Sequence, residues 1–265
     1  MERSHDLIAA MARHEIDECG EGFSSIPDAA RAAGVEMLFS DTRLAGRFDR
    51  IYFIRSGLID SLLAIGRDMN RRGWILKIEE GYRTRDMQVA LGRDPAVFDK
   101  IVDMCRWEFG GERPPLELVS RRATCLVANS CLTGTHLFGA AVDISVFRRD
   151  GGTEVSRGAP YLHMSELTPM NSPFVGEQEQ RNRMEITELM ERHGFLHYPG
   201  EFWHYNQGDA LYQILSDSGQ PGRYGPVHWD AATNTVTPFE DVASPLTSPE
   251  QMQREIEAAL ARLAA

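Results

Sequence analysis

The stretch that most restricts the fold lies between Gly139 and Phe147, where Val142, Ile144 and Val146 alternate with Asp143 and Ser145. Successive side chains of a strand point to opposite faces, so this period of two predicts a strand with one apolar face. The acid points away from that face. Trp74 to Glu79 reads as a second strand, with Trp74, Leu76 and Ile78 on its buried side. Shorter strands are expected near residues 116–119, 202–205 and 210–215.

Helical spacing governs most of the remainder. Ser4 is placed to cap a first helix carrying Leu7, Ile8 and Met11. Leu58, Leu62, Ile65 and Met69 share a face over residues 56–70, with Gly73 as the stop. Phe98, Ile101, Val102 and Cys105 predict a helix over 95–109, and Ile186, Leu189 and Met190 another over 179–193. Ser248-Pro249-Glu250-Gln251 is a capping box with proline at the first helical position, opening a helix striped by Met252, Ile256, Leu260 and Leu263. Residues 217–247 are rich in Gly, Pro, Ser, Asn and Asp and read mostly as loop. Helices and strands mix without regular βαβ alternation. The expected class is therefore α+β, with a small, mainly antiparallel sheet flanked by helices.

Composition excludes several function classes. With 28 Lys and Arg against 39 Asp and Glu, the formal charge is −11, which argues against a nucleic-acid partner because phosphate contact relies on clustered positive charge. At 42% hydrophobic and 25% charged, the 265 residues have the balance of a globular chain able to bury a sizeable core. No apolar run reaches the roughly 18 residues of a membrane span, so no membrane partner is expected. The start, Met1-Glu2-Arg3-Ser4-His5-Asp6, lacks the basic-then-apolar order of a secretory signal, which gives a cytoplasmic expectation. Cys19, Cys105, Cys125 and Cys131 form no C-x-x-C pair and are expected as free buried thiols.

Two segments hold the parts of a hydrolytic metal site, which needs three nitrogen or oxygen ligands, an open position and a nearby carboxylate. In Gly134-Thr135-His136-Leu137-Phe138-Gly139-Ala140-Ala141-Val142-Asp143, an imidazole precedes the strand carboxylate by seven residues. An odd separation in an unbroken strand would put the two on opposite faces, so the chain must bend between them. Gly139 is the residue able to allow it, and Ala140 and Ala141 leave room for a metal. In Gly200-Glu201-Phe202-Trp203-His204-Tyr205, Glu201 and His204 are set among three aromatics. A lone charge there is costly, and a nearby cation would explain both.

In this order, His, Asp, then Glu-x-x-His, the chain resembles the zinc D-alanyl-D-alanine dipeptidases, relatives of the zinc D,D-carboxypeptidases. His136, Gly139, Ala141 and Asp143 match the family's S-x-H-x-x-G-x-A-x-D motif, and Glu201, Trp203 and His204 match its E-W-W-H. Gly134 replaces the serine and Phe202 a tryptophan. Glu80-Gly81-Tyr82-Arg83 resembles D-G-Y-R, followed by Thr84 where the family has proline. Met170-Asn171-Ser172-Pro173-Phe174 resembles M-G-T-P-F-D, with Val175 in place of the aspartate. Asn182-Arg183, Met190 and Gly194-Phe195 resemble the lead into the second metal motif. The resemblance spans roughly residues 35–230.

The resemblance implies one zinc ion per chain, held by His136, Asp143 and His204, with Glu201 as general base and Arg83 stabilising the reacting carbonyl. A Glu three residues before a ligand can reach the attacking water without completing the coordination sphere, which agrees with that role. Thr135 and Tyr82 are the candidate substrate contacts. Arg83 has a bland alternative in a turn ion pair with Asp86, and Thr135 in an ordinary turn hydroxyl. The expected organisation is a helical appendage over 1–34, a catalytic domain over 35–230, and a loop with an amphipathic helix packed on it over 231–265. The implied reaction is hydrolysis of D-Ala-D-Ala or a related small dipeptide. Its rivals are a D,D-carboxypeptidase or peptidoglycan endopeptidase on the same scaffold, and a zinc-binding module without catalysis.

Overall fold

The alternating segment forms the middle strand of a five-stranded sheet in the computed structural model, which describes residues 1–264. In chain order the elements are α1 (Glu2–Met11), β1 (Phe23–Ser25), α2 (Ile26–Ala32), β2 (Met37–Phe39), β3 (Phe53–Arg55), α3 (Ile59–Arg71), β4 (Trp74–Glu80) and α4 (Arg85–Leu91). Then come α5 (Pro95–Glu108), α6 (Leu116–Leu126), β5 (Ala141–Arg148), α7 (Glu177–Arg192), β6 (Leu196–His197) and β7 (His204–Asn206). The last four are α8 (Ala210–Leu215), β8 (Val227–Asp230), β9 (Thr235–Pro238) and α9 (Pro249–Leu263).

The main sheet has the order β2-β4-β5-β7-β6, so β5 is central. Pairings β4–β5, β5–β7 and β6–β7 are antiparallel, while β2–β4 is parallel. The sheet is thus mixed and mainly antiparallel, in an α+β chain. Val142, Ile144 and Val146 enter the principal core with Leu76 and Ile78 of β4 and with Leu62, Ile65 and Met69 of α3. Asp143 and Ser145 point to the other face and are buried as well, because Arg157 lies over that side and donates to the Ser145 hydroxyl at 3.3 Å.

Several local expectations give way to the packing. Residues 116–126 are helix because Val119, Ala123 and Leu126 lie at four- and three-residue intervals; the Leu116–Val119 window is too short to reveal the period. Residues 210–215 are also helix, started by the Asp209 side chain accepting from the Tyr212 amide at 2.8 Å. The first helix begins at Glu2, leaving Ser4 inside it as a buried residue instead of a cap. Thr84, at the family's proline position, accepts from the Met87 amide and caps α4. The 217–247 loop contains the β8–β9 hairpin. All four cysteines are free, and Cys19 is exposed whereas the other three are buried.

Residues 1–34 pack closely against the rest. Met11 contacts Tyr198 and Leu211, Phe23 contacts Tyr82 and Val227, and Ile26 joins the principal core. At the other end α9 packs on α5, with Arg262 paired to Asp99 at 2.6 Å.

Candidate metal centre

Strand register brings the site together. Asp143 of β5 is paired with Glu80 of β4 on one side and with His204 of β7 on the other. Cross-strand partners share a face of the sheet, so three residues distant in sequence line up on the side away from the apolar core. His136 arrives from a 3₁₀ turn over Thr135–Phe138 that ends at Gly139, whose φ of 67° is left-handed. This is the bend that the His-to-Asp spacing requires. Glycine alone suits it: a Cβ there would lie 2.0 Å from Phe23 Cε1. Buried Arg55 secures the turn, its Nε donating to the Phe138 carbonyl at 2.6 Å while its guanidinium pairs with Glu18 at 2.9 Å.

The three candidate ligands are all buried, and their ligand atoms lie within 4.8 Å of one another. His136 Nδ1 donates to the Gly81 carbonyl at 2.8 Å, since a carbonyl can only accept. Nε2 is then a lone pair. It is buried with no hydrogen-bond partner, yet faces Asp143 Oδ1 at 3.2 Å. Burial, then the Arg83 guanidinium, lower the imidazole pKa to about 4, so His136 is neutral near pH 7 and this contact is no ion pair. Two acceptors at that distance repel unless a cation lies between them.

The same carboxylate oxygen meets His204 Nδ1 at 2.9 Å, and His204 Nε2 lies 2.9 Å from the Thr135 hydroxyl. For Nδ1 to serve a cation, the ring proton must sit on Nε2, where the Thr135 oxygen accepts it. Asp143 Oδ2 is occupied separately, accepting from the Tyr161 hydroxyl at 3.0 Å and from Arg83 Nη2 at 3.4 Å. Burial alone would raise the Asp143 carboxyl; the two imidazoles, His136 foremost, overrule it and hold it well below the usual carboxylate range. The orphaned nitrogen, the second imidazole and the ionised carboxylate oxygen together fit zinc, which takes nitrogen and oxygen ligands readily.

Glu201 and Arg83 line the same cavity, of about 60 Å³, as the three candidate ligands. Burial, then the Asp143 charge, push the Glu201 carboxyl well above its ordinary value, with Arg83 opposing. Arg83 is itself buried and is pinned by Glu80 at 3.4 Å and by the Gln88 side-chain oxygen at 3.2 Å. Its partners are Glu80 and Asp143, not the Asp86 of the bland alternative.

Of the residues singled out in the sequence, His136, Asp143, His204, Glu201, Arg83 and Thr135 meet at this cavity. Thr135 faces the His204 imidazole. Tyr82 does not join them: its ring packs on Phe23, and its hydroxyl donates to the Val227 carbonyl at 2.8 Å. Three contributors carried no assigned role: Glu80, Gln88 and Tyr161. Glu80 lay inside a quoted motif, and its pairing opposite Asp143 is the signal that a register prediction would have supplied. Gln88 and Tyr161 have no spacing relation to the motifs, so only the fold reveals them.

Residues 119–217 match the peptidase M15 family model, described as D-Ala-D-Ala dipeptidase. A D-alanyl-D-alanine dipeptidase of Enterococcus faecalis is 32% identical over 78 residues, covering 29% of this chain and 39% of that protein. One from Synechocystis is 37% identical over 87 residues, covering 29% of this chain and 35% of its own. One from Enterococcus faecium is 30% identical over 90 residues, covering 34% and 41%. The matched stretch therefore spans well under half the length of these relatives. The resemblance read from the metal motifs is met by the family match, whose residues 119–217 contain both motifs, and by the relatives' names. A solved structure of the vancomycin-resistance D,D-pentapeptidase VanY in complex with Zn(II) overlaps loosely, at 18% identity and a TM-score of 0.36 over 69% of this chain and 83% of that one.

Proposed function

We propose that this chain is a zinc-dependent dipeptidase acting on D-Ala-D-Ala or a closely related short dipeptide. One observation carries the proposal: His136 Nε2, buried and without a hydrogen-bond partner, faces the ionised Asp143 oxygen that also meets His204 Nδ1. His136, Asp143 and His204 would hold the ion. Zinc at these ligands supplies Lewis-acid polarisation of a carbonyl and makes water a stronger acid at neutral pH.

The chain's own residues do the rest. The Glu201 carboxylate takes a proton from the attacking water and passes it to the leaving amine, a single residue acting as base and then acid. The Arg83 guanidinium, held by Glu80 and Gln88, stays protonated and offers a planar fork of donors to the developing oxyanion. Glu80 and Gln88 position it. The Thr135 hydroxyl and the Gly81 carbonyl fix which nitrogen of each imidazole is free. The small volume of the cavity, about 60 Å³, favours a short substrate over a polymer and so this reading over the carboxypeptidase and endopeptidase alternatives.

Metal analysis combined with hydrolysis of free D-Ala-D-Ala and of a muramyl pentapeptide, with and without chelator, tests the proposal. The expected result is about one zinc per chain and chelator-sensitive cleavage of the dipeptide. Glu201→Ala should lose about 10²- to 10⁴-fold in kcat while still binding zinc. Near-normal turnover in zinc-loaded Glu201→Ala protein removes the general-base assignment, and equimolar zinc with no dipeptide hydrolysis favours the non-catalytic module.

A further inference from the structure

The wall of the cavity farthest in sequence from both metal motifs is α1. Ser4, Ile8 and Met11 are spaced by four and three residues, so one stripe of the helix faces inward. Ser4 and Met11 are buried, and Ile8 and Met11 line the cavity that also contains Glu201, Arg83 and the three candidate ligands. α1 lies outside the segment that matches the dipeptidase family.

This helix is not a frayed terminus. Glu2 pairs with Arg122 at 2.7 Å and with Arg121, both on α6. Beyond its other end, His14 Nε2 meets the Gln220 carbonyl at 2.9 Å, and the Asp17 amide donates to the Gly222 carbonyl at 2.8 Å. Between these anchors it packs on α6 and α8. Leu126, Leu211, Leu162 and Met164 line the cavity with Ile8 and Met11, whereas its charged groups are Arg83, Glu201 and the metal-site residues. A charged substrate side chain directed at those apolar residues would be stranded without a partner.

We propose that α1 is the wall that sizes the substrate cavity. Ile8 and Met11 are specificity-determining residues that confine the site to short peptides with small apolar side chains. The substrate part of this inference rests on the dipeptidase reading above; the wall rests on packing alone.

Ile8→Ala/Met11→Ala, in the full zinc-loaded chain, should raise kcat/KM for D-Ala-D-Leu or D-Leu-D-Ala relative to D-Ala-D-Ala by about tenfold or more, the scale of one or two methylenes in an apolar pocket. Ile8→Trp should move the ratio the other way. Ile8 is only half-buried, so Ile8→Ala alone serves if the double variant does not fold. A second readout needs no turnover. In a Cys19→Ser background, Cys125, which lines the same cavity, should react faster with a neutral pyridyl disulfide in the double variant, while buried Cys105 and Cys131 keep their rates.

Dipeptide hydrolysis with both ratios within about twofold of the unsubstituted protein, a margin far below the methylene scale, together with unchanged Cys125 labelling, overturns the wall and leaves the dipeptidase reading intact. No hydrolysis by either protein, with faster Cys125 labelling, sinks the dipeptidase reading and retains α1 as the wall.

Discussion

Gly139→Ala tests whether the bend between His136 and Asp143 is what builds the site. Alanine at a φ of 67° carries the left-handed penalty of an L-residue, about 1–2 kcal/mol. Its methyl would also sit 2.0 Å from Phe23 Cε1 and 2.4 Å from Cζ. The ring cannot simply swing aside. Phe23 is buried, with Tyr82 at 4.9 Å, Trp229 at 5.0 Å and the Arg55 guanidinium at 5.1 Å from its centroid. Forcing a methyl into such packing costs about 1–3 kcal/mol, for a total of about 2–5 kcal/mol. In a chain of this size that lowers Tm by roughly 4–20 °C.

Thermal and urea unfolding of the metal-free protein measure the loss. Phe23→Leu removes the two ring atoms that the methyl meets, so in that background the cost of Gly139→Ala should shrink by about 1–3 kcal/mol, a coupling a double-mutant cycle resolves. A cost below about 0.5 kcal/mol, the level of an ordinary surface change, would refute the requirement for glycine. An equal cost in both backgrounds would refute the contact with Phe23.

Two other consequences are measurable at single side chains. Thr135→Val deprives the His204 ring proton of its acceptor and should weaken zinc binding by about 10- to 100-fold in a competition titration, with Thr135→Ser restoring it; an unchanged affinity would remove Thr135 from that role. Asp209 is buried, and burial raises its carboxyl pKa to about 6, against about 3.8 when exposed. The unfolded chain therefore releases this proton first, stability falls as pH rises from about 4 to about 6, and the loss approaches 3 kcal/mol above that. Asp209→Asn keeps an acceptor for the Tyr212 amide, so its stability difference from the unsubstituted metal-free protein should grow in its favour across that window; a difference flat with pH would contradict the assignment.

What could be read from the sequence follows the range of the interactions. The β5 strand and the helices α3, α5, α7 and α9 declare themselves because their period lies within one window of residues. Both metal segments are equally local, and the odd His-to-Asp spacing was enough to demand a bend at Gly139. The short elements were not legible. Residues 210–215 are an apolar run of a length where strand and helix look alike, and the Leu116–Val119 window hides a period that appears only by Leu126. Contacts set by register or by a distant loop were hidden for a different reason. Glu80 meets the site because β4 pairs antiparallel with β5 through a bulge, and Tyr161 reaches Asp143 from a loop no motif describes. Tyr82, a candidate substrate contact in the sequence, has its ring against Phe23 and Trp229 and its hydroxyl on the Val227 carbonyl, a placement set by loops distant in sequence.

The hydrogen bonds behind the candidate ligands decide how far the arrangement of the site would depend on an ion. Each candidate ligand has one atom committed to the protein: His136 Nδ1 to Gly81, His204 Nε2 to Thr135, and Asp143 Oδ2 to Tyr161 and Arg83. Those bonds, together with the sheet register, hold the remaining three atoms close without an ion. Small zinc domains differ, because their ligands converge only when metal is bound and the apo chain unfolds. Here the principal core draws on β4, β5 and five or more helices remote from the site. Chelated protein should therefore keep its far-UV circular dichroism and unfold cooperatively, at a Tm lowered only by the linkage contribution, about 4 kcal/mol at free zinc a thousandfold above Kd. Loss of cooperative unfolding on chelation would mean that the ion, not the fold, assembles His136, Asp143 and His204.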